Sequence, residues 1–204
     1  LFHTDEDGLP TTATHEEGGY FDIGPLDLGE NARRDMILTL AEMGFEIISS
    51  HHEIAPAQHE IDFHYDEAMV TADNLMTFKM VVKTIAKRHG LHATFMPKPN
   101  YGKKGSAMFF NMFLSKDGEN IFSDPDEEYG LSKTAYYFMG GIMRHIKGLT
   151  LINNPIINSY KRLVPGYNAP VNITWSRKNR TPLMRMTSTG EMGPCSIEKS
   201  GWLL

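Results

Sequence analysis

The chain has 204 residues, 41% of them hydrophobic, with 20 basic and 25 acidic side chains and a formal net charge of −5. That size supports one domain with a sizeable core, and the lack of any long basic run removes the electrostatic case for nucleic acid. The apolar runs are too short to span a bilayer, no charged-then-apolar stretch opens the sequence, and the lone Cys195 excludes an internal disulfide framework and fits a reducing cytoplasm.

In chain order, Leu1 and Phe2 read as the end of a strand already under way, which would place the true start of the protein upstream. Residues 4 to 20 are polar and Gly-rich and predict a loop. Met36, Ile37, Leu40 and Met43 fall at helical spacing, so a helix is expected from Leu28 to Met43, capped by Asp27 and ended by Gly44. Strands are expected from Phe45 to Glu53 and from His59 to Tyr65. A long helix from Glu67 to His89 follows, with Gly90 where a C-terminal cap belongs. Leu91 to Met96 predicts a strand stopped by Pro97 and Pro99. Ser106 to Leu114 predicts another, followed by the turn Lys116-Asp117-Gly118. Ser132 can cap a helix running to Ile146, and Val171 to Trp175 reads as a short strand. Thr187 to Leu204 is Gly/Ser-rich without periodicity and predicts an irregular tail. Strands and helices mix without regular parallel units, which suggests α+β with a largely antiparallel sheet.

The first chemical constellation is His51-His52-Glu53-Ile54-Ala55-Pro56-Ala57-Gln58-His59-Glu60-Ile61-Asp62. Symmetric pairing about Pro56 and Ala57 would set Glu53 against Glu60 and His51 against Asp62. Directly opposed carboxylates repel, and a hard cation such as magnesium or manganese would relieve that repulsion through oxygen ligands. Spacing alone leaves open a second reading, a solvent-exposed hairpin with scattered charges.

The string Gly18-Gly19-Tyr20 through His51-His52-Glu53 and Gln58-His59-Glu60 resembles bacterial type I glutamine synthetases. So do Ala93-Thr94-Phe95-Met96-Pro97-Lys98-Pro99 and Asn158-Ser159-Tyr160-Lys161-Arg162-Leu163-Val164-Pro165-Gly166-Tyr167, and Asn179-Arg180 with Arg185 continues the match. It covers residues 1 to 186 in unbroken register and implies a partial catalytic domain, an antiparallel sheet flanked by helices and incomplete at both ends. The resemblance implies condensation of glutamate with ammonia, with ATP phosphorylating the side-chain carboxylate, two divalent metals, and dodecameric assembly. It also implies that Glu53 and Glu60 hold a magnesium or manganese ion, and that Arg162 holds the glutamate substrate beside Gly105. By the same token Arg180 and Arg185 face phosphate, Tyr65 and Asn111 belong to the nucleotide pocket, and Tyr20 lies near the ammonium pocket. Arg162 and Arg180 are the implied catalytic residues.

Several positions depart from the family. Alternation along Ser106 to Leu114 puts Ser106, Met108, Phe110, Met112 and Leu114 on one, mostly core, face and Ala107, Phe109, Asn111 and Phe113 on the other. The resemblance makes that second face the site side, with a metal-binding histidine where Phe109 stands and a serine where Phe113 stands. Ile48 replaces a glutamate, Lys104 an asparagine, and Asn168 the glutamate of a flap over the substrate. Three functions are compatible with this pattern: a glutamine synthetase that is impaired or incompletely represented, an inactive paralogue binding subunits or acting as a regulator, and a ligase joining glutamate to another amine.

Overall fold

A computed structural model describes residues 1–179, 181–187 and 196–201, with side chains described as far as residue 186. The chain divides into two compact units, residues 1–95 with 99–104, and residues 96–98 with 105–204.

In the first unit, β1 (Phe2–Thr4) is the middle strand of a small antiparallel sheet between β2 (Pro10–Thr14) and a later strand. The expected loop over residues 4 to 20 is thus corrected, because β2 pairs with β1 through Phe2 opposite Thr14 and Thr4 opposite Pro10. Helix α1 (Glu30–Glu42) falls inside the predicted span. Asp27 does not cap it. The capping position is Gly29, and the Asp27 carboxylate is instead buried in an ion pair with Arg33 at 2.7 Å. The hairpin strands β3 (Ile47–His52) and β4 (His59–Phe63) follow, then α2 (Ala68–Arg88), which ends before Gly90 at φ +69°. The predicted strand Leu91 to Met96 shrinks to β5 (Leu91–His92), which completes the sheet opposite Phe2 and His3.

The core of this unit is the seam between the two helices. Ala32, Met36 and Leu40 of α1 meet Phe78, Val81, Val82, Ile85 and Ala86 of α2, with Ala93 beside them. The α1 residues recur at i and i+4, the spacing that lines one helix face. Removing a side chain of this size from water stabilises by roughly 1.5–3 kcal/mol.

In the second unit, β6 (Met108–Met112) is shorter than predicted, and its expected core face is reversed in part. Phe113, assigned to the site side, packs on the core, whereas Phe110 and Leu114, assigned to the core face, are exposed. Strands β7 (Ser115–Lys116) and β8 (Glu119–Asn120) make the predicted tight turn. Its Asp117 and Gly118 both have positive φ, as an Asp-Gly two-residue hairpin loop requires. Helix α3 (Lys133–Asn153) runs further than expected, and the Ser132 side chain accepts the Ala135 N–H as its cap. Helix α4 (Ile157–Arg162) and strand β10 (Pro182–Thr187) were not anticipated, while β9 (Asn172–Ser176) was.

The tail, expected to be irregular from Thr187 on, supplies β11 (Ser196–Gly201). The sheet order is β6-β11-β10-β9, antiparallel except for the β10 and β9 pair. The core of this unit joins Phe122, Leu131, Ala135, Met139 and Ile146 to Leu183, Met184 and Met186 of β10. No described helix is long and apolar enough to cross a membrane. Replacing Ser132 by Ala removes the cap of α3 and is expected to lower stability by about 1 kcal/mol, read as a drop in the urea midpoint.

Candidate functional site

The β3 and β4 hairpin pairs in a register two residues from the symmetric expectation. His51 faces Glu60, His52 faces His59, and Ser49 faces Asp62. The turn is responsible. Ala57 takes φ +54°, the Gln58 N–H donates to the Ala55 carbonyl at 3.0 Å, and the Glu53 N–H donates to the Gln58 carbonyl at 2.7 Å. Glu53 therefore lies at the mouth of the hairpin rather than opposite Glu60. The two carboxylates still meet, because His51 and Glu53 share a face at i and i+2, and Glu60 is directly opposite His51. His51 Nε2 is 3.4 Å from Glu53 Oε1 and 4.0 Å from Glu60 Oε2. One donor atom from each of the three lies within 4.8 Å of the others.

Electrostatics sharpen this cluster. Burial first, then the charges of Asp62 and Glu53, push the Glu60 carboxyl up from its ordinary 4.5 to about 8, helped by its hydrogen bonds to both carboxylates. A divalent cation in the proton's place would remove the repulsion, and two carboxylates with an adjacent imidazole suit magnesium or manganese.

Aromatic side chains shape the surroundings. Phe21 stacks on His51 with ring centroids 4.4 Å apart and 16° between planes, and Tyr20 meets the same ring edge-on at 5.6 Å. The Phe21 N–H donates to the His52 carbonyl at 3.0 Å. Tyr65 lies beyond the other end of β4 and stacks on His64. A second cluster, His15, Glu16 and His59, also brings donor atoms within 4.8 Å. It suits a cation poorly, because Arg33 places its guanidinium 2.7 Å from His59 Nδ1. Burial, reinforced by neighbouring positive charge including Arg33, holds His59 neutral with its pKa lowered to about 2.

In the second unit Arg162 ends α4 and is 3% exposed. Burial lowers its guanidinium from its ordinary value to about 10, so it stays cationic near neutrality. Gly105 lies against it: a Cβ there would collide with the Pro97 carbonyl and come 2.8 Å from Arg162 Cδ. Asn158 pins the neighbouring segment at both backbone groups of Lys98, accepting its N–H at 2.7 Å and donating to its carbonyl at 2.9 Å. Lys98 Nζ lies 3.7 Å from the centre of the Tyr167 ring. Asn168, next along, holds φ +57°, a conformation asparagine tolerates better than most residues.

Asn111 on β6 and Arg185 on β10 are both opposite Glu198 of the intervening β11 in backbone register. Phe109 on β6 is 50% exposed, and Ile48 on β3 is 64% exposed. Arg180 lies outside the described residues. The structure thus gathers Tyr20, Glu53 and Glu60 in one cluster and Gly105 with Arg162 in another. The stacking of Phe21 on His51, the Asn158 clamp on Lys98 and the Glu16 contact to His52 are not legible in the sequence. Nothing in local spacing links residues 36 or 60 positions apart.

Glu60 binds its proton more tightly folded than unfolded, so without metal the stability of the chain falls as pH rises from about 4.5 toward about 8. Manganese competes with that proton, so its affinity rises over the same window. Thermal melts and calorimetric titrations at stepped pH check both signs. Gly105→Ala forces the Pro97 carbonyl and Arg162 apart and is expected to destabilise by about 1–3 kcal/mol, read by urea denaturation.

The chain aligns with the family model described as the glutamine synthetase catalytic domain over residues 3–196. A glutamine synthetase of Clostridium saccharobutylicum is 60% identical over 193 residues, covering 95% of this chain and 44% of that protein. The chain spans less than half the length of the curated relatives it matches. A glutamine synthetase of Plasmodium falciparum, determined by cryo-electron microscopy, superposes with a TM-score of 0.85 at 33% identity, over 93% of this chain and 37% of that one. GmaS in complex with ADP superposes with a TM-score of 0.82 at 34% identity, over 97% of this chain and 47% of that one. With the family model spanning nearly all of its residues, the chain belongs to the glutamine synthetase catalytic-domain family.

Proposed function

We propose that the chain is the central part of a domain that condenses glutamate with ammonia at the expense of ATP through a glutamyl phosphate, and that alone it is impaired in that reaction. The observation that carries the reading is the meeting of Glu53 and Glu60 beside His51, two mutually repelling carboxylates with hard-cation chemistry. A bound magnesium or manganese ion would neutralise charge on the transferring phosphoryl group. Arg162 supplies a buried fork, charged near neutrality and suited to a carboxylate. Gly105 lets backbone approach that guanidinium. Glutamate binding is assigned to these two, an ammonium-side role to Tyr20, and nucleotide contacts to Tyr65, Asn111, Arg180 and Arg185. The ADP complex of the structurally similar GmaS supports a nucleotide in this fold. Assembly into a homo-oligomer is consistent with exposed Met69, Met76 and Met80 on α2, and a cytoplasmic setting with the single cysteine.

The impairment rests on Phe109. A half-exposed phenyl ring stands where the family resemblance puts a metal-binding histidine, and it cannot ligate a cation. The same ring favours a second reading, an inactive paralogue that binds other subunits or regulates them. Asn168 favours a third, a ligase for another amine, because an amide cannot serve as a base toward ammonium. Calorimetric titration with manganese and an ATP analogue discriminates, using the chain and its Phe109→His variant. One weak metal event in the parent, a second in Phe109→His and negligible turnover are expected. Turnover comparable to that of a full-length relative would overturn the impairment.

A further inference from the structure

Glu16 and His52 lie outside the donor set assigned to the cation, yet both are buried, His52 completely. His52 Nε2 lies 2.7 Å from Glu16 Oε1, and His52 Nδ1 lies 2.6 Å from the Glu53 carbonyl oxygen. One imidazole thus ties the Glu16 carboxylate to the peptide that carries Glu53. The other Glu16 oxygen accepts the Gly18 N–H. A side chain at Gly18 would push on both partners, because a Cβ would come 2.6 Å from Glu16 Oε2 and 3.0 Å from His52 Nε2. A carboxylate withdrawn from water is costly unless its oxygens are hydrogen-bonded, and both oxygens of Glu16 are.

The effect on Glu53 is specific. Its N–H is held by the Gln58 carbonyl, its C=O by His52, and its Oε2 by the Ile54 N–H at 2.9 Å. Its other carboxylate oxygen, Oε1, faces His51. Metal-binding side chains depend on neighbours that fix their orientation, and loss of such a neighbour typically weakens binding about 10–100-fold.

We propose that Glu16, acting through His52, is a positioning residue for Glu53, holding its carboxylate in the orientation that receives a divalent cation. This rests on the reading of Glu53 and Glu60 as cation ligands. The test is manganese binding to the full chain, measured by calorimetry and by electron paramagnetic resonance, with circular dichroism monitoring the fold. Glu53→Gln is expected to abolish the site. Glu16→Ala is expected to weaken manganese about 10–100-fold, and Glu16→Gln, whose amide oxygen still reaches the ring, to recover part of the loss. Gly18→Ala, which crowds the pair without deleting it, is expected to weaken binding as well. If Glu16→Ala does not fold, the other two variants decide. Folded Glu16→Gln and Gly18→Ala with parental affinity, alongside a dead Glu53→Gln, would overturn the positioning role and leave the cation reading standing. Parental affinity in Glu53→Gln would remove the cation reading and the positioning role together.

Discussion

Two carboxylates held together in a half-buried hairpin repel each other unless a proton or a cation lies between them, and much of the first unit keeps Glu53 and Glu60 in that situation. The turn at Ala57 sets the register, the seam between α1 and α2 supports the hairpin from one side, and the stacked Phe21 packs on His51. Burial, and then the charges of Asp62 and Glu53, raise the affinity of Glu60 for a proton. Stability is therefore given up locally so that a binding position exists before any ligand arrives, a common property of sites that act on charge.

The second unit treats charge differently. Arg162 is buried at the end of a six-residue helix, with Gly105 and the Pro97 carbonyl close by. Its guanidinium has lost most of its water and keeps its charge. A desolvated, preorganised cation attracts a carboxylate more strongly than a solvated one. Phe109 in the same unit works the other way, because a half-exposed ring in a strand offers surface and no ligand.

What was legible in the sequence was what local spacing controls. The buried Met36 and Leu40 of α1, Val82, Ile85 and Ala86 of α2, the Ser132 cap and the Asp117-Gly118 turn all follow from neighbours within a few residues, whereas Met43, Met69 and Met76, at the same helical spacing, are exposed. The convergence of Glu53 and Glu60 survived a wrong register because a shift of two residues preserves the face of a strand. The misses share one cause. Asp27 has the residue type of a cap, but a buried Arg33 six residues on takes its carboxylate. β2 is too polar to announce itself and exists because β1 offers it a ladder. Phe113 packs on the core because the shortened β6 ends before it and alternation no longer applies beyond the strand, while Phe110, inside β6, is exposed alongside Phe109 and Asn111. The Glu16 and His52 contact is set by tertiary packing alone.

The segment Pro97-Lys98-Pro99 shows how little is needed to hold an extended stretch of chain. Proline has no N–H, so the flanking residues cannot enter a sheet as donors, and Lys98 supplies the only amide hydrogen among the three. One asparagine side chain, with one donor and one acceptor turned the right way, satisfies that peptide completely. The Pro97 carbonyl takes the Ser106 N–H, and the Lys98 ammonium lies over the Tyr167 ring. The lasting constraint on sequence change here is accordingly the proline spacing and an amide of asparagine length opposite it, more than the identity of the residue between the prolines.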